Sequence, residues 1–386
     1  MREEIQNAST LVLKIGSSLL LRQTDGGSQG LNVDWLAAMA SDIAQARAKG
    51  QKIILVTSGA LALGCAKLGV QRQDLNLAQS QAASATGQIE LVRGWQSALD
   101  AQALQSAQVL LTAEDTEQRR RYLNARQTLT ALLDMGVIPV INENDTLATQ
   151  ELRYGDNVRL AARVAAMVSA DCLVLFSDID GLYTANPQET EGGEFLDVVE
   201  EITPEISAMA GGSGSQHGSG GMVTKLQAGE IAQSAGCHMV LASGRALSPL
   251  TALAQGARST LFRAHANPLT ARKNWIASTL HPAGTVHLDA GAVRALAAGN
   301  SLLPVGISRL EGNFERGDCL SIIAPDGQEI ARGLSAYARL EAGFLVGKDS
   351  KAIAALPEFS DYNLERTEMV HRDDMVLMTS PNGGTK

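Results

Sequence analysis

Thr10-Leu11-Val12-Leu13-Lys14-Ile15, followed at once by Gly16-Ser17-Ser18, is the stretch on which the fold turns. Apolar residues fall on both parities, so both faces of the segment must be buried. That is the pattern of a strand inside a parallel sheet. A lysine near the end of such a strand is costly unless it meets a charge. Five further runs read as buried strands: Lys52–Thr57, Gln108–Thr112, Val137–Asn142, Asp171–Ser177 and Cys237–Ala242. Helical patterns lie between them, at Asp34–Lys49, Glu117–Met135, Asn157–Ser169 and Met222–Ser234. In the first of these, Trp35, Met39, Ile43 and Ala46 recur at helical spacing, with Asp34 as the expected N-cap. The alternation predicts an α/β fold, with a mainly parallel sheet and helices on both faces.

The pattern changes beyond a linker at about 263–280. The segments AGTVHLD (283–289), LLPVGISRLEG (302–312), GDCLSIIAPDG (317–327) and EIARGLSAY (329–337) are short strands broken by glycine turns. They predict a small β-rich barrel domain. The expected division is an α/β domain at 8–262, the linker at 263–280, the β-rich domain at 281–368 and a fraying tail at 369–386.

In open α/β sheets, ligands bind beyond the carboxyl ends of the strands. Four polar clusters fall there: Lys14 with Gly16-Ser17-Ser18, Thr57-Ser58-Gly59-Ala60, Asn142-Glu143-Asn144-Asp145, and Ser177-Asp178-Ile179-Asp180-Gly181. Turns and helix caps commonly use these residue types. Four such clusters at one sheet edge, together with a lysine, point instead to a site. A fifth segment is Gly218-Ser219-Gly220-Gly221-Met222-Val223-Thr224-Lys225. Its glycines let the backbone approach a polyanion, and a helix with a lysine in its first turn follows. The spacing is neither a P-loop nor a dinucleotide fingerprint. Lys14 and Lys225 could approach one phosphate chain from two sides, as phosphoryl transfer requires. Asp145 and Asn157 suit the amine and carboxylates of an amino-acid acceptor.

The 386 residues carry a net charge of −9, which argues against general binding to nucleic acid or a membrane surface. No apolar run approaches the length of a membrane span, and there is no signal region. The scattered Cys65, Cys172, Cys237 and Cys319 read as reduced, core-filling thiols of a cytoplasmic protein. Neither the cysteines nor the six histidines show zinc spacing. The run Arg119-Arg120-Arg121 reads as an exposed helix face, with a subunit contact as the functional alternative.

These residues together resemble the amino-acid-kinase family. The likeness runs from about Thr10 to Glu368 and rests on VLKIGSSLL (12–20), TSGALALG (57–64), INENDT (141–146), YGDN (154–157), SDIDGLYTANP (177–187) and GSGGMVTK (218–225). The β-rich end resembles a PUA domain. The resemblance is closest to the members that phosphorylate the γ-carboxylate of L-glutamate with ATP, giving γ-glutamyl phosphate, the first step of proline biosynthesis. It implies that Lys14 and Lys225 contact the ATP phosphates and stabilise the transferring group. Ser177, Asp178, Ser219, Gly220, Gly221, Met222, Val223, Thr224 and Lys225 would bind the nucleotide, and Ser58, Asp145 and Asn157 would bind glutamate. Mg²⁺ would enter with ATP, with no protein metal ligand named. Proline is the expected feedback inhibitor, and a homo-oligomer the expected assembly.

One departure stands out. The family reads Gly-Asp-Asn-Asp where this chain has Gly155-Asp156-Asn157-Val158. The missing carboxylate is the one expected to orient the two lysines, so weakened catalysis is one implication. The alternatives are a kinase for another amino acid, or an RNA-binding protein with a degenerate kinase domain. Against the latter, residues 281–386 hold ten Lys or Arg and fourteen Asp or Glu, which gives little attraction for phosphate.

Overall fold

Alternate residues of the central strands enter two different cores. The computed structural model describes residues 2–23, 29–147, 157–185, 193–209, 221–278, 281–354 and 367–378. Gly155, Asp156, Ser219, Gly220 and the tail from 379 onward lie outside them. The chain divides into two compact units, 1–268 and 269–386.

The first unit begins with α1 (Glu3–Gln6), β1 (Thr10–Ile15) and the short α2 (Ser17–Leu20), followed by a hairpin of β2 (Leu21–Gln23) and β3 (Gln29–Leu31). Helix α3 (Val33–Ala48), β4 (Lys52–Val56), α4 (Ala60–Leu68) and the long α5 (Leu77–Asp100) come next. Then follow β5 (Ser106–Leu111), α6 (Ala113–Glu117), α7 (Arg119–Asp134), β6 (Ile138–Glu143), α8 (Asn157–Val168) and β7 (Cys172–Ser177). A second small hairpin, β8 (Leu182–Tyr183) with β9 (Phe195–Leu196), precedes β10 (Val198–Val199) and α9 (Pro204–Met209). The unit closes with α10 (Met222–Ser234), β11 (His238–Ser243), α11 (Pro249–Ala254) and β12 (Ser259–Phe262).

Eight strands form one sheet in the order β10-β12-β11-β7-β1-β4-β6-β5. Every neighbouring pair is parallel except β11 with β12. Leu11, Leu13, Ile15, Ile53 and Leu55 point into one core with Trp35, Met39 and Ile43 of α3 and Trp95 of α5. Val12, Ile54, Val56, Leu173 and Leu175 point into the other, against α7, α8 and α10. Lys14 shares the parity of Val12, so it lies on the face covered by α8 and α10. The chain places β4, β5 and β6 to one side of β1 and then returns to lay β7 on the other. The crevice at the carboxyl ends of β1 and β7 is therefore the switch point at which such sheets bind ligands.

Local details differ from the sequence reading. The N-cap of α3 is Asn32, whose side chain accepts from the Trp35 N–H; Asp34 lies inside the first turn. The helix expected at Glu117–Met135 is α7, which starts at Arg119; the preceding α6, ending at Glu117, was not expected. Gln118 between them is extended, at φ −74° and ψ 118°. The start of α6 is fixed by Thr112 and Asp115, each bonding the other's backbone N–H. Of the three arginines, Arg120 and Arg121 are exposed, and Arg121 pairs with Asp115 at 3.1 Å.

The second unit contains α12 (Pro268–Ser278), whose first residue belongs to the first unit, then β13 (Gly284–Leu288), α13 (Ala290–Ala297), β14 (Ile307–Gly312), β15 (Cys319–Ile323), β16 (Glu329–Leu334), α14 (Arg339–Leu345), α15 (Ser350–Ala354) and β17 (Met375–Leu377). Its sheet runs β14-β13-β15-β16-β17, with only β13 and β15 parallel. The residues just after 368 do not fray. Met369 and Val370 are fully buried, Val370 bridges to Leu302, and β17 pairs with β16. Met369, Val370 and Met375 supply apolar side chains to the core, and this outweighs the polar residues between them.

Candidate active site

The end of β1 is tied to its neighbours before any ligand is considered. Ser58, just past β4, donates its hydroxyl to the Ile15 carbonyl at 3.2 Å. Thr57 is fully buried, and its hydroxyl accepts from Trp95 Nε1 at 3.1 Å, so α5 pins the end of β4. Trp95 in turn meets Trp35 edge to face, with centroids 6.5 Å apart. Helices α4 and α5 approach unusually closely because Gly64 and Gly87 face the contact. A Cβ on Gly64 would sit 1.7 Å from the Ala83 carbonyl oxygen, and one on Gly87 1.9 Å from that of Ala60. No side chain fits there, so glycine sets the spacing and with it the position of α5 beside β4 and β6.

The two lysines and Asp178 form one electrostatic group. Lys225 lies four residues after Gly221, the N-cap of α10, and is only 9% exposed. Lys14 occupies the fifth position of β1, between Val56 of β4 and Leu175 of β7. Burial, and then the charge of Lys225, push the Lys14 amine down to about 8, with Asp178 opposing the shift. Burial also lowers Lys225, again against Asp178. Burial disfavours the charge on Asp178, but the Ser177 hydroxyl at 2.9 Å, its own backbone N–H, Lys225 and Arg245 outweigh that and hold its carboxyl below the usual range. A buried lysine and a half-buried one thus share one exposed carboxylate, and the surplus positive charge favours an anion. Gly16 lies beside this group: a Cβ there would stand 3.8 Å from Lys14 Nζ and 3.7 Å from both Ser18 Oγ and the Phe176 carbonyl oxygen. Gly221, Met222, Val223 and Thr224 present the amino end of α10 to the same group.

The loop after β7 is held from below. Tyr183 donates to Asp180 at 3.0 Å, Arg258 donates to the Tyr183 hydroxyl at 3.0 Å, and its guanidinium lies over Phe195 at 5.1 Å. Thr260 of β12 accepts from the Leu182 N–H at 2.8 Å.

The second group gathers at the carboxyl end of β6. Asn157, the first residue of α8, donates its side-chain amide to Asn142 Oδ1 at 3.0 Å; Asn142 donates to Gln88 Oε1 of α5 at 2.7 Å. Burial pushes the Asp145 carboxyl up, opposed by a hydrogen bond from Ser84 of α5 and by the charge of Arg72. Ser84 and Gln88 are one helical turn apart, so a single face of α5 serves both Asn142 and Asp145. Gln88, Ser84 and Arg72 escaped the sequence reading, because their contacts are made across the fold. Val158, next to Asn157, is 3% exposed and lies in the apolar core on the α8 face.

All four cysteines are buried free thiols. Among the described residues, no three or more His, Cys, Asp or Glu side chains gather as a metal set, and no helix is long and apolar enough to cross a membrane.

Comparison with known proteins follows the same division. The amino acid kinase family pattern matches residues 9–243, and the PUA domain pattern matches residues 284–355. The chain is 53% identical over 383 residues to a protein named glutamate 5-kinase 1 from Rhizobium meliloti, covering 99% of this chain and 95% of that one. It is 50% identical to a glutamate 5-kinase from Agrobacterium fabrum, over 97% of this chain and 95% of the other. A glutamate 5-kinase from Rhodopseudomonas palustris is also 50% identical, over 98% and 99% of the two chains.

Proposed function

The chain belongs to the amino acid kinase family, among the glutamate 5-kinases, and on that premise we propose how its own residues carry out ATP-dependent phosphorylation of the L-glutamate γ-carboxylate. The observation that carries the reading is the pairing of Lys14 and Lys225, two cations forced together at the switch point with Asp178 as their shared carboxylate. The triphosphate of ATP lies between them, over the amino end of α10 and the turn at Gly16. Ser177 and Asp178, with the loop that includes Ser219 and Gly220, hold the rest of the nucleotide. Glutamate binds at Ser58, Asp145 and Asn157, with its γ-carboxylate turned towards the lysines.

A γ-carboxylate oxygen attacks the γ-phosphorus, and the bond to the bridging oxygen of ADP breaks as ADP takes the electron pair. The nucleophile is already ionised at neutral pH, so no general base is needed. Catalysis then consists of holding two anions in line and neutralising the charge that spreads over the phosphoryl oxygens. Lys14 and Lys225 supply that charge from half-buried and buried positions, where it acts more strongly than in water. Magnesium accompanies ATP, and screens the phosphates when bound.

Proline as feedback inhibitor, a homo-oligomer and a cytoplasmic location complete the proposal. An RNA-binding role for the second unit is not favoured, given its excess of acidic residues. The test is a coupled assay of ADP release with and without glutamate. Release that depends on glutamate is expected. ADP release that is the same without glutamate, or that follows another amino acid instead, overturns the reading.

A further inference from the structure

The amides beside Asn157 form a chain with a direction. Gln88 Oε1 accepts from Asn142 Nδ2, and Asn142 Oδ1 accepts from Asn157 Nδ2. Asn142 is 1% exposed and uses one end of its amide on each neighbour. Asn157, 9% exposed, spends its nitrogen on the chain and is left with a buried oxygen that has no partner among the described residues. A buried acceptor without a donor is unfavourable, so this atom marks where a ligand donor belongs.

Three amides in series have two self-consistent polarities, related by turning all three over. One ends on oxygen at Asn157 and the other on nitrogen. The neighbouring charge separates them. Asp145 is joined to the same face of α5 through Ser84, one turn from Gln88. A carboxylate there repels a ligand carboxylate and attracts an ammonium. An oxygen at Asn157 completes an ammonium site; a nitrogen would not.

We propose that Gln88 is a positioning residue for the amino-acid acceptor. By accepting from Asn142, it fixes the polarity of the chain, so that Asn157 presents an oxygen to the α-ammonium of the substrate. This rests on the reading of glutamate as the acceptor. Gln88 itself touches no reacting atom. It sets which of two chemical faces Asn157 shows, and so selects an α-amino acid over the dicarboxylic acid that lacks the amine.

The test uses the full-length protein with Gln88→Met and Gln88→Glu, and with glutamate and glutarate as acceptors. An ionised glutamate at 88, at a pH well above the carboxylate range, accepts from Asn142 but cannot donate to it, so it preserves the proposed polarity and forbids the reverse. Gln88→Met is expected to raise KM for glutamate about tenfold while leaving KM for ATP within about twofold. The preference for glutamate over glutarate in kcat/KM should fall about tenfold as well. Gln88→Glu should recover KM for glutamate to within about threefold of the parent. A Gln88→Glu protein as impaired as Gln88→Met means that the chain runs the other way. Parent-like behaviour of both variants, or a rise in both Michaelis constants together with a lower melting temperature, also overturns the positioning role. A parent protein without glutamate-dependent turnover removes the functional reading, and this inference with it.

Discussion

Lys14 is the residue where the sequence and the chemistry meet. A lysine placed in a buried strand and beside a second lysine loses part of its hold on the proton, which is why its amine sits at about 8. The phosphate-neutralising form is the protonated one, present below that value and lost as pH rises through it. The kcat/KM for ATP should therefore fall above about pH 8. Val158 bears on the same group. The family resemblance implies that an acid at its position faces the lysines, where it would favour their charged forms. Val158→Asp is expected to raise the turnover number at least about tenfold and to move the alkaline limb upward, with smaller changes in either Michaelis constant. A steady-state pH profile of the purified pair decides this; an unmoved limb with unchanged turnover means that Val158 does not face the lysines. Lys225→Ala should lower turnover about a hundredfold or more while circular dichroism remains that of the parent, since the charge acts in the transition state. Asp145→Ala and Asn157→Ala should each raise KM for glutamate far more than KM for ATP. Equal effects would show that the two substrates do not occupy separate groups of residues along the carboxyl edge of the sheet.

At the scale of elements, what was legible followed burial on both faces. The six strands read from the sequence are present because Val, Ile and Leu at both parities have few other uses. Helix α10 was legible at both ends, since glycines precede it and Ala235-Gly236 follows. The 24 residues of α5 were not read as a helix. Several of its buried positions are Ala83, Ser84 and Gly87, too small to make an apolar stripe. The same smallness lets it approach α4, so the feature that hid the helix is the one that places Gln88 and Ser84. Likewise Asp145 and Asn157 stood out as polar residues after strands, whereas the relay between them is tertiary and leaves no local mark. Gly87→Ala tests this view of α5. The added methyl meets backbone atoms at 1.9 and 2.4 Å, which cannot swing aside as a side chain can. A loss of about 1–3 kcal/mol is expected, read as a lower melting temperature, with KM for glutamate rising as α5 shifts. A variant with parent stability would show that α4 and α5 have slack.

For the whole molecule, all the proposed substrate contacts belong to the first unit. A chain of residues 1–268 should fold and bind both ATP and glutamate, as ligand-induced shifts in its melting temperature would report. A soluble, folded fragment that binds neither would show that the second unit contributes to the site.

The last strand of the second unit has a consequence for synthesis. Domains fold in order as the chain emerges, at about 5–20 residues per second. Met369, Val370 and β17 follow every other strand of the second unit in the chain, so they leave the ribosome after the rest of that sheet has been made. The first unit can therefore be complete while translation continues, whereas the second gains its closing strand last. A stop codon between β16 and β17 would leave a finished kinase unit attached to a partner that cannot close its sheet, and quality control would meet that product as half native and half nascent.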